Sequence, residues 1–217
     1  MPDSLELAHQ REDYRRAVLD EAHCAPDPMR QFEQWFKEAK SADLKEPNAM
    51  TLATVSADGQ PSARIVLLKG LERDGFVFYT NYASRKGREL LANPRCALTF
   101  YWAELERQVR VEGAVEKVSK EQSENYFKGR PKGSRIGAVV SNQSAELPSR
   151  RPLETRLAEL ELAYANTDDV PMPETWGGYY LAPHLVEFWQ GRTNRLHDRI
   201  VYRLNEDGTW RMGRLSP

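Results

Sequence analysis

The sequence predicts an α+β fold in which antiparallel strands dominate, and three observations carry that reading. From Ala49 onward, short apolar runs are separated by turn signals such as Asp58-Gly59 and Asp74-Gly75, the mark of consecutive hairpins. Helical patterns are added between and around these runs instead of alternating with them strand by strand, so a doubly wound parallel sheet is not expected. The 217 residues suffice for one substantial core, and neither an internal repeat nor a clear domain boundary interrupts them.

Taken in order, Glu6–Ala22 is highly charged with Tyr14 as its one aromatic residue, and reads as an arm. Pro26–Lys40 places Met29, Phe32, Trp35, Phe36 and Ala39 on one helical stripe. Met50–Ser56, Pro61–Gly70 and Phe76–Thr80 are expected strands. Ser84–Ala92 is a short helix that Ser84 caps and Asn93-Pro94 stops. Strands are expected again at Cys96–Trp102 and Gln108–Val118. Helices follow at Ser119–Lys128, where Ser119 and Gln122 fit a capping box, at Ser134–Val140 with Ser134 as cap, and at Arg151–Ala165. Asn166–Pro173 reads as a long surface loop. The chain closes with strands near Gly178–Leu181, Val186–Gln190, Leu196–Leu204 and Trp210–Arg214.

Composition narrows the function. The formal net charge is −1 with 29 % charged residues, so no global field draws the chain to nucleic acid or to an anionic membrane. A mean hydropathy of −0.69 and the lack of a long apolar run exclude a transmembrane helix. The opening residues fit neither a secretory signal nor a transit peptide. Cys24 and Cys96 have no paired spacing and read as unlinked thiols of a reducing compartment, with the cytoplasm as the expected location. His9, His23, His184 and His197 are scattered, so no metal site is expected, and no dinucleotide fingerprint, phosphate loop or Gly-x-Ser-x-Gly elbow is present.

What remains is a set of local basic clusters. Arg85 and Lys86 stand in the first turn of a helix, where the macrodipole disfavours cations unless an anion is bound; the pair marks either a phosphate site or a solvated helix start. Tyr126 and Arg130 are four apart and share a helical face, with Ser134 beside them, as a second anion site or an ordinary charged loop. Arg64 and Lys69 have opposite strand parity, so a bulge intervenes, or they serve ligands on the two sides of a sheet, or one of them is a solvent-facing edge charge. At the C-terminal end, strand alternation gives Arg195, His197 and Arg199 one face, next to Trp189. A face so charged suits a flat anionic ligand.

These residues sit in stretches that resemble the pyridoxine (pyridoxamine) 5'-phosphate oxidase family. The stretches include Ser62-Ala63-Arg64-Ile65-Val66-Leu67-Leu68-Lys69-Gly70, Phe78-Tyr79-Thr80-Asn81, Ser84-Arg85-Lys86-Gly87, Glu106-Arg107-Gln108-Val109-Arg110, Gln143-Ser144, Trp176-Gly177-Gly178, Glu187-Phe188-Trp189-Gln190-Gly191 and Arg195-Leu196-His197-Asp198-Arg199. They run in family order from about residue 48 to the C-terminus. The resemblance implies an FMN-binding split β-barrel over residues 48–217, preceded by a helical arm at 1–47, in a homodimer with FMN at the subunit interface. It implies FMN contacts from Arg64, Ile65, Val66, Leu67, Lys69, Tyr79, Thr80, Arg85, Lys86, Gln108, Gln143, Ser144, Trp189 and Arg199. Lys69, Tyr126, Arg130 and Ser134 would hold the substrate phosphate, and Arg195 and His197 would cover the substrate ring as the catalytic pair. Arg11 and Tyr14 of the arm would join the substrate side. The implied reaction is oxidation of pyridoxine or pyridoxamine 5'-phosphate to pyridoxal 5'-phosphate, with dioxygen reduced to hydrogen peroxide. Rival readings are a split-barrel FMN reductase and a non-enzymatic FMN or pyridoxal phosphate carrier.

Overall fold

The computed structural model of the chain describes residues 13–72 and 74–217; Arg11 lies outside them. The chain forms two compact units. One holds the described residues up to Pro47 with Thr99–Arg110 and Leu185–Pro217, and the other holds Asn48–Leu98 and Val111–His184.

In the second unit, β1 (Ala49–Val55) and β2 (Pro61–Leu67) form a hairpin in the register Val55↔Pro61 to Ala49↔Leu67. Gly59, at φ +87°, adopts the left-handed backbone that its turn requires. β3 (Gly70–Glu72) pairs with β4 (Gly75–Asn81), and β4 pairs with the first half of β7 (Trp176–Gln190) from Phe76↔Leu181 to Asn81↔Trp176. With β5 (Arg95–Trp102) and β6 (Arg107–Lys117), the strand order is β2-β1-β5-β6-β7-β4-β3. In the first unit, the second half of β7 pairs with β8 (Asp198–Leu204), and β8 with β9 (Trp210–Arg214). The five pairings whose register is described, β1–β2, β3–β4, β4–β7, β7–β8 and β8–β9, are all antiparallel, as the hairpin reading expects.

Five α-helices are present among the described residues: α1 (Pro28–Ser41), α2 (Arg85–Ala92), α3 (Lys120–Lys128), α4 (Lys132–Val140) and α5 (Arg151–Ala163). Asp27 caps α1 by accepting from the Met29 and Arg30 N–H groups, and Pro28 fits the first turn, where its missing donor costs nothing. The apolar stripe of α1 buries Phe32 and Trp35 beside Phe100, Trp102 and Phe188 of the same unit; Trp35 meets Phe188 edge-on at 5.2 Å. In the other unit α4 and α5 share a small core of Ile136, Leu160 and Val170.

Several expectations change. Pro61–Gly70 is not one strand: β2 ends at Leu67 and the chain resumes as β3 at Gly70. The two strands expected at Gly178–Leu181 and Val186–Gln190 are one, because Pro183, which cannot donate to a ladder, falls where β7 exchanges β4 for β8 as partner. Helix α4 starts at Lys132 after Pro131, so Ser134 sits inside its first turn and is not its cap. Ser119 does cap α3, but the Gln122 side chain donates to Glu72 Oε2 at 2.8 Å instead of closing the box. Finally, β8 begins only at Asp198. Thr193–Arg195 is a tight 3₁₀ turn, and Asn194 and Arg195 have φ of 56° and 61°. Arg195 and His197 therefore precede the strand, and the parity argument that put them on one face with Arg199 fails.

Candidate functional site

The second unit contains a cavity of about 660 Å³ that gathers most of the basic clusters. Its wall takes Arg64, Ile65, Val66, Leu67 and Lys69 from β2 and the break after it, Tyr79, Thr80 and Asn81 from β4, and Lys86 from α2. Tyr126, Arg130, Pro131, Ser134, Gly137, Ala138, Ser141, Gln143 and Trp176 complete it. The break explains how Arg64 and Lys69 share a wall despite their opposite parity. The Leu68 N–H turns to Asn48 O and the Lys69 N–H to Val77 O, both at 2.8 Å, which ends the β2 alternation before Lys69.

Four cations line this cavity and no carboxylate is among its lining residues. Burial lowers the basicity of Lys86, and the nearby Arg64 lowers it further, while Glu89 opposes both. Lys86 Nζ donates to Gln143 Oε1 at 2.8 Å and to Thr80 Oγ1 at 3.3 Å. Arg130 is lowered by burial, with Tyr126 opposing, and its Nη1 is buried without a hydrogen-bond partner. Its guanidinium lies 4.9 Å from the Trp176 ring centre. Trp176, Tyr79 and Tyr126 stack almost parallel, the two tyrosines at 3.8 Å and 10°. A buried cationic donor without a partner is costly in a folded protein, and an anion in the cavity removes that cost.

At the start of α2, which the sequence leaves open between a phosphate site and a solvated helix start, two backbone donors have side-chain partners. Ser84 caps the helix by accepting from Gly87 N–H, and Ser144 Oγ accepts from Arg85 N–H at 3.1 Å, so both donors are engaged. The Arg85 side chain turns to Glu89 Oε1 at 2.8 Å and does not line the cavity; Lys86 alone points in. Gly87 is required here for space, since a Cβ would lie 2.1 Å from Tyr82 O.

The other unit holds Tyr14, Gln108, Trp189, Arg195, His197 and Arg199. Trp189, His197 and Tyr14 form a ring cluster with centroid separations of 4.6 Å (Trp189–His197), 5.7 Å (Tyr14–Trp189) and 5.8 Å (Tyr14–His197). His197 Nδ1 accepts from the Arg192 N–H at 3.1 Å, which puts the proton of the neutral ring on Nε2. Burial and Arg195 both lower the His197 pKa, with Asp198 opposing. Arg195 is exposed. Arg199 stands opposite Trp189 in the ladder, and its Nε and Nη2 donate to the two oxygens of Glu187 at 2.8 and 3.1 Å. Its Nη1 donates to Ser216 O.

Comparison with known proteins decides the family. Residues 36–164 match the family model described as pyridoxamine 5'-phosphate oxidase, and residues 176–217 match that of the pyridoxine 5'-phosphate oxidase C-terminal dimerisation region. A pyridoxine/pyridoxamine 5'-phosphate oxidase of Cupriavidus metallidurans is 58 % identical over 212 residues, covering 98 % of this chain and 99 % of the relative. The chain belongs to the pyridoxine/pyridoxamine 5'-phosphate oxidase family. A protein of the same name from Burkholderia orbicola is 57 % identical over 213 residues, covering 97 % of this chain and 99 % of its own. Among solved structures, PhzG from Burkholderia lata, in complex with tetrahydrophenazine-1-carboxylic acid, superposes with a TM-score of 0.86 at 31 % identity, over 92 % of this chain and 98 % of its own. A pyridoxamine 5'-phosphate oxidase-related, FMN binding protein from Nostoc punctiforme shares the fold at a TM-score of 0.70 and 17 % identity, over 89 % and 100 %. The fold is thus the split barrel of this oxidase family, with peripheral helices, as the sequence resemblance implied. Among the described residues, no group of His, Cys, Asp and Glu could hold a metal ion, and no helix is long and apolar enough to cross a membrane.

Two buried carboxylates escaped the sequence reading. Glu89 and Glu187 each bind two arginines, Arg64 and Arg85 in one case and Arg110 and Arg199 in the other. The i,i+4 spacing of Arg85 and Glu89 was the one available signal; nothing in the local pattern marks Glu187.

Proposed function

We propose that this chain is an FMN-dependent oxidase that converts pyridoxine and pyridoxamine 5'-phosphates to pyridoxal 5'-phosphate, reducing dioxygen to hydrogen peroxide, and that it works as a homodimer. The observation that carries the reading is the cavity itself. It has four cations, no lining carboxylate and a buried Arg130 Nη1 that lacks a partner, which suits phosphorylated ligands. The relatives' name and the dimerisation region matched by residues 176–217 support the substrate class and the homodimer. A cytoplasmic location is part of the same proposal.

The donor set fits FMN. Arg64 and Lys86, with Thr80 and Gln143 beside them, would hold its phosphate, while Ile65, Val66 and Leu67 supply an apolar and backbone edge. Arg85, Gln108, Ser144, Trp189 and Arg199 are proposed as further contacts. Bound FMN supplies a two-electron acceptor that dioxygen can reoxidise. Lys69, Tyr126, Arg130 and Ser134 would bind the substrate phosphate, with Arg130 gaining the partner it lacks. His197, neutral and with its proton on Nε2, would donate a hydrogen bond to the substrate ring. Arg195 would place positive charge against that ring and stabilise the electron-rich form that loses a hydride from C4'. Tyr14, packed on His197 and Trp189, would limit water at the same face, and Arg11 is proposed to join it.

For the alcohol substrate, the products are pyridoxal phosphate and one hydrogen peroxide per dioxygen. For the amine, one water is consumed and ammonia is released as well. The test is to supply pyridoxamine 5'-phosphate under air to the protein loaded with FMN. Peroxide, ammonia and pyridoxal phosphate should appear in equal amounts. Bound flavin without peroxide would mark a carrier, and flavin reduction by NADH in place of the vitamer would mark a reductase.

A further inference from the structure

Glu89 is a carboxylate buried in the last turns of α2, 5 % exposed, and it does not line the cavity. Its Oε2 accepts from Thr54 Oγ1 at 2.5 Å, Ser62 Oγ at 2.7 Å and Arg64 Nη2 at 3.2 Å, and its Oε1 accepts from Arg85 Nε at 2.8 Å. Arg64 is further tied through Nη1 to Leu52 O at 3.2 Å and to Thr54, and through Nη2 to Ser62. Thr54 and Ser62 face each other across the β1–β2 hairpin. Three elements, β1, β2 and α2, therefore converge on one carboxylate, and that carboxylate sets where the Arg64 guanidinium lies.

The arrangement resolves a conflict at the cavity wall. Arg64 and Lys86 both line it and repel each other when no ligand is bound. The buried Glu89 carboxylate behind them offsets that repulsion. We propose that Glu89 is a positioning residue for FMN, acting through Arg64 to hold the cationic wall in its binding geometry. The inference rests on the FMN reading above.

It makes a prediction of definite sign. Counted as charge alone, Glu89 repels a phosphate, so neutralising it should tighten FMN binding. If Glu89 acts by positioning Arg64, neutralising it should weaken binding instead. Apoprotein titrated with FMN, followed by flavin fluorescence well below the melting temperature, reads the difference. Glu89→Gln should raise the FMN Kd by about tenfold or more, the scale of a lost charge-assisted hydrogen bond. The Kd for riboflavin, which lacks the phosphate, should change by less than about twofold on the same reasoning. In an Arg64→Met background, Glu89→Gln should add little, because the residue through which it acts is gone. Should Glu89→Gln fail to fold, Glu89→Asp enters the same cycle, with a shorter side chain that keeps the charge but not the reach.

A Kd for FMN that is unchanged or lower in Glu89→Gln would overturn the inference and leave the FMN reading intact. An equal loss in the Arg64→Met background would also overturn it, as the mark of a general structural role. Failure of the unmutated protein to bind FMN would instead remove the reading on which the inference rests.

Discussion

Arg195 and His197 carry the proposed chemistry by different means, and each can be tested alone. Arg195 is exposed and in the left-handed backbone region, where Asn is tolerated well. Arg195→Asn should therefore leave the turn intact and the FMN Kd unchanged, while kcat falls by about a hundredfold, the usual scale for removing one preorganised charge. Steady-state peroxide release with a parallel flavin titration separates the two effects. His197 is held neutral by burial and Arg195. Its folded pKa lies below the ordinary 6.5, so protonation disfavours the folded form and the competent neutral ring persists below that pH. The acid limb of kcat/KM should accordingly lie below pH 6.5 and should disappear in His197→Asn. A limb above 6.5 would contradict the assignment.

At the scale of elements, the junction of β1, β2 and α2 depends on one ionised group. Burial alone would raise the Glu89 pKa, but hydrogen bonds from Thr54, Ser62 and Arg85 outweigh it and hold the carboxyl at about 2, against an ordinary 4.5. A depressed carboxylate stabilises the fold fully above its unfolded pKa and loses that contribution as pH falls toward the folded one. The stability of the unmutated apoprotein relative to Glu89→Gln should thus fall, by an amount on the order of a few kcal/mol, as pH drops from about 4.5 to 2. Denaturant melts across that range check it. The β1–β2 hairpin and the capped start of α2 were legible in the sequence because they follow local rules: turn residues, alternation and a serine cap. The β2–β3 break was not. It is made by Leu68 and Lys69 bonding to Asn48 and Val77, and no local pattern records those distant partners.

For the molecule as a whole, the matched dimerisation region at residues 176–217 gives a direct expectation. Sedimentation should show a species of twice the 24.9 kDa chain mass at micromolar concentration, and a monomer there would refute the homodimer. The antiparallel α+β class was readable because hairpins and helix insertions pointed the same way, and the ordered motifs carried the resemblance that implied the split barrel. The cavity was readable residue by residue, in that Arg64, Lys69, Lys86, Tyr126 and Arg130 are indeed brought together. The C-terminal segment misled for a physical reason. Arg195-Leu196-His197 alternates like a strand, yet Asn194 and Arg195 bend the backbone out of the extended region before β8 begins.

That bend has an evolutionary reading. Glycine would occupy the Arg195 backbone conformation without the steric penalty that a side chain meets there. Arg195→Gly should be neutral or raise stability by up to about 1 kcal/mol while lowering kcat by about a hundredfold, as Arg195→Asn does. A library scored by protein abundance and the same library scored by vitamer oxidation should then rank glycine at this position in opposite orders. Persistence of arginine there would measure selection for chemistry against selection for folding.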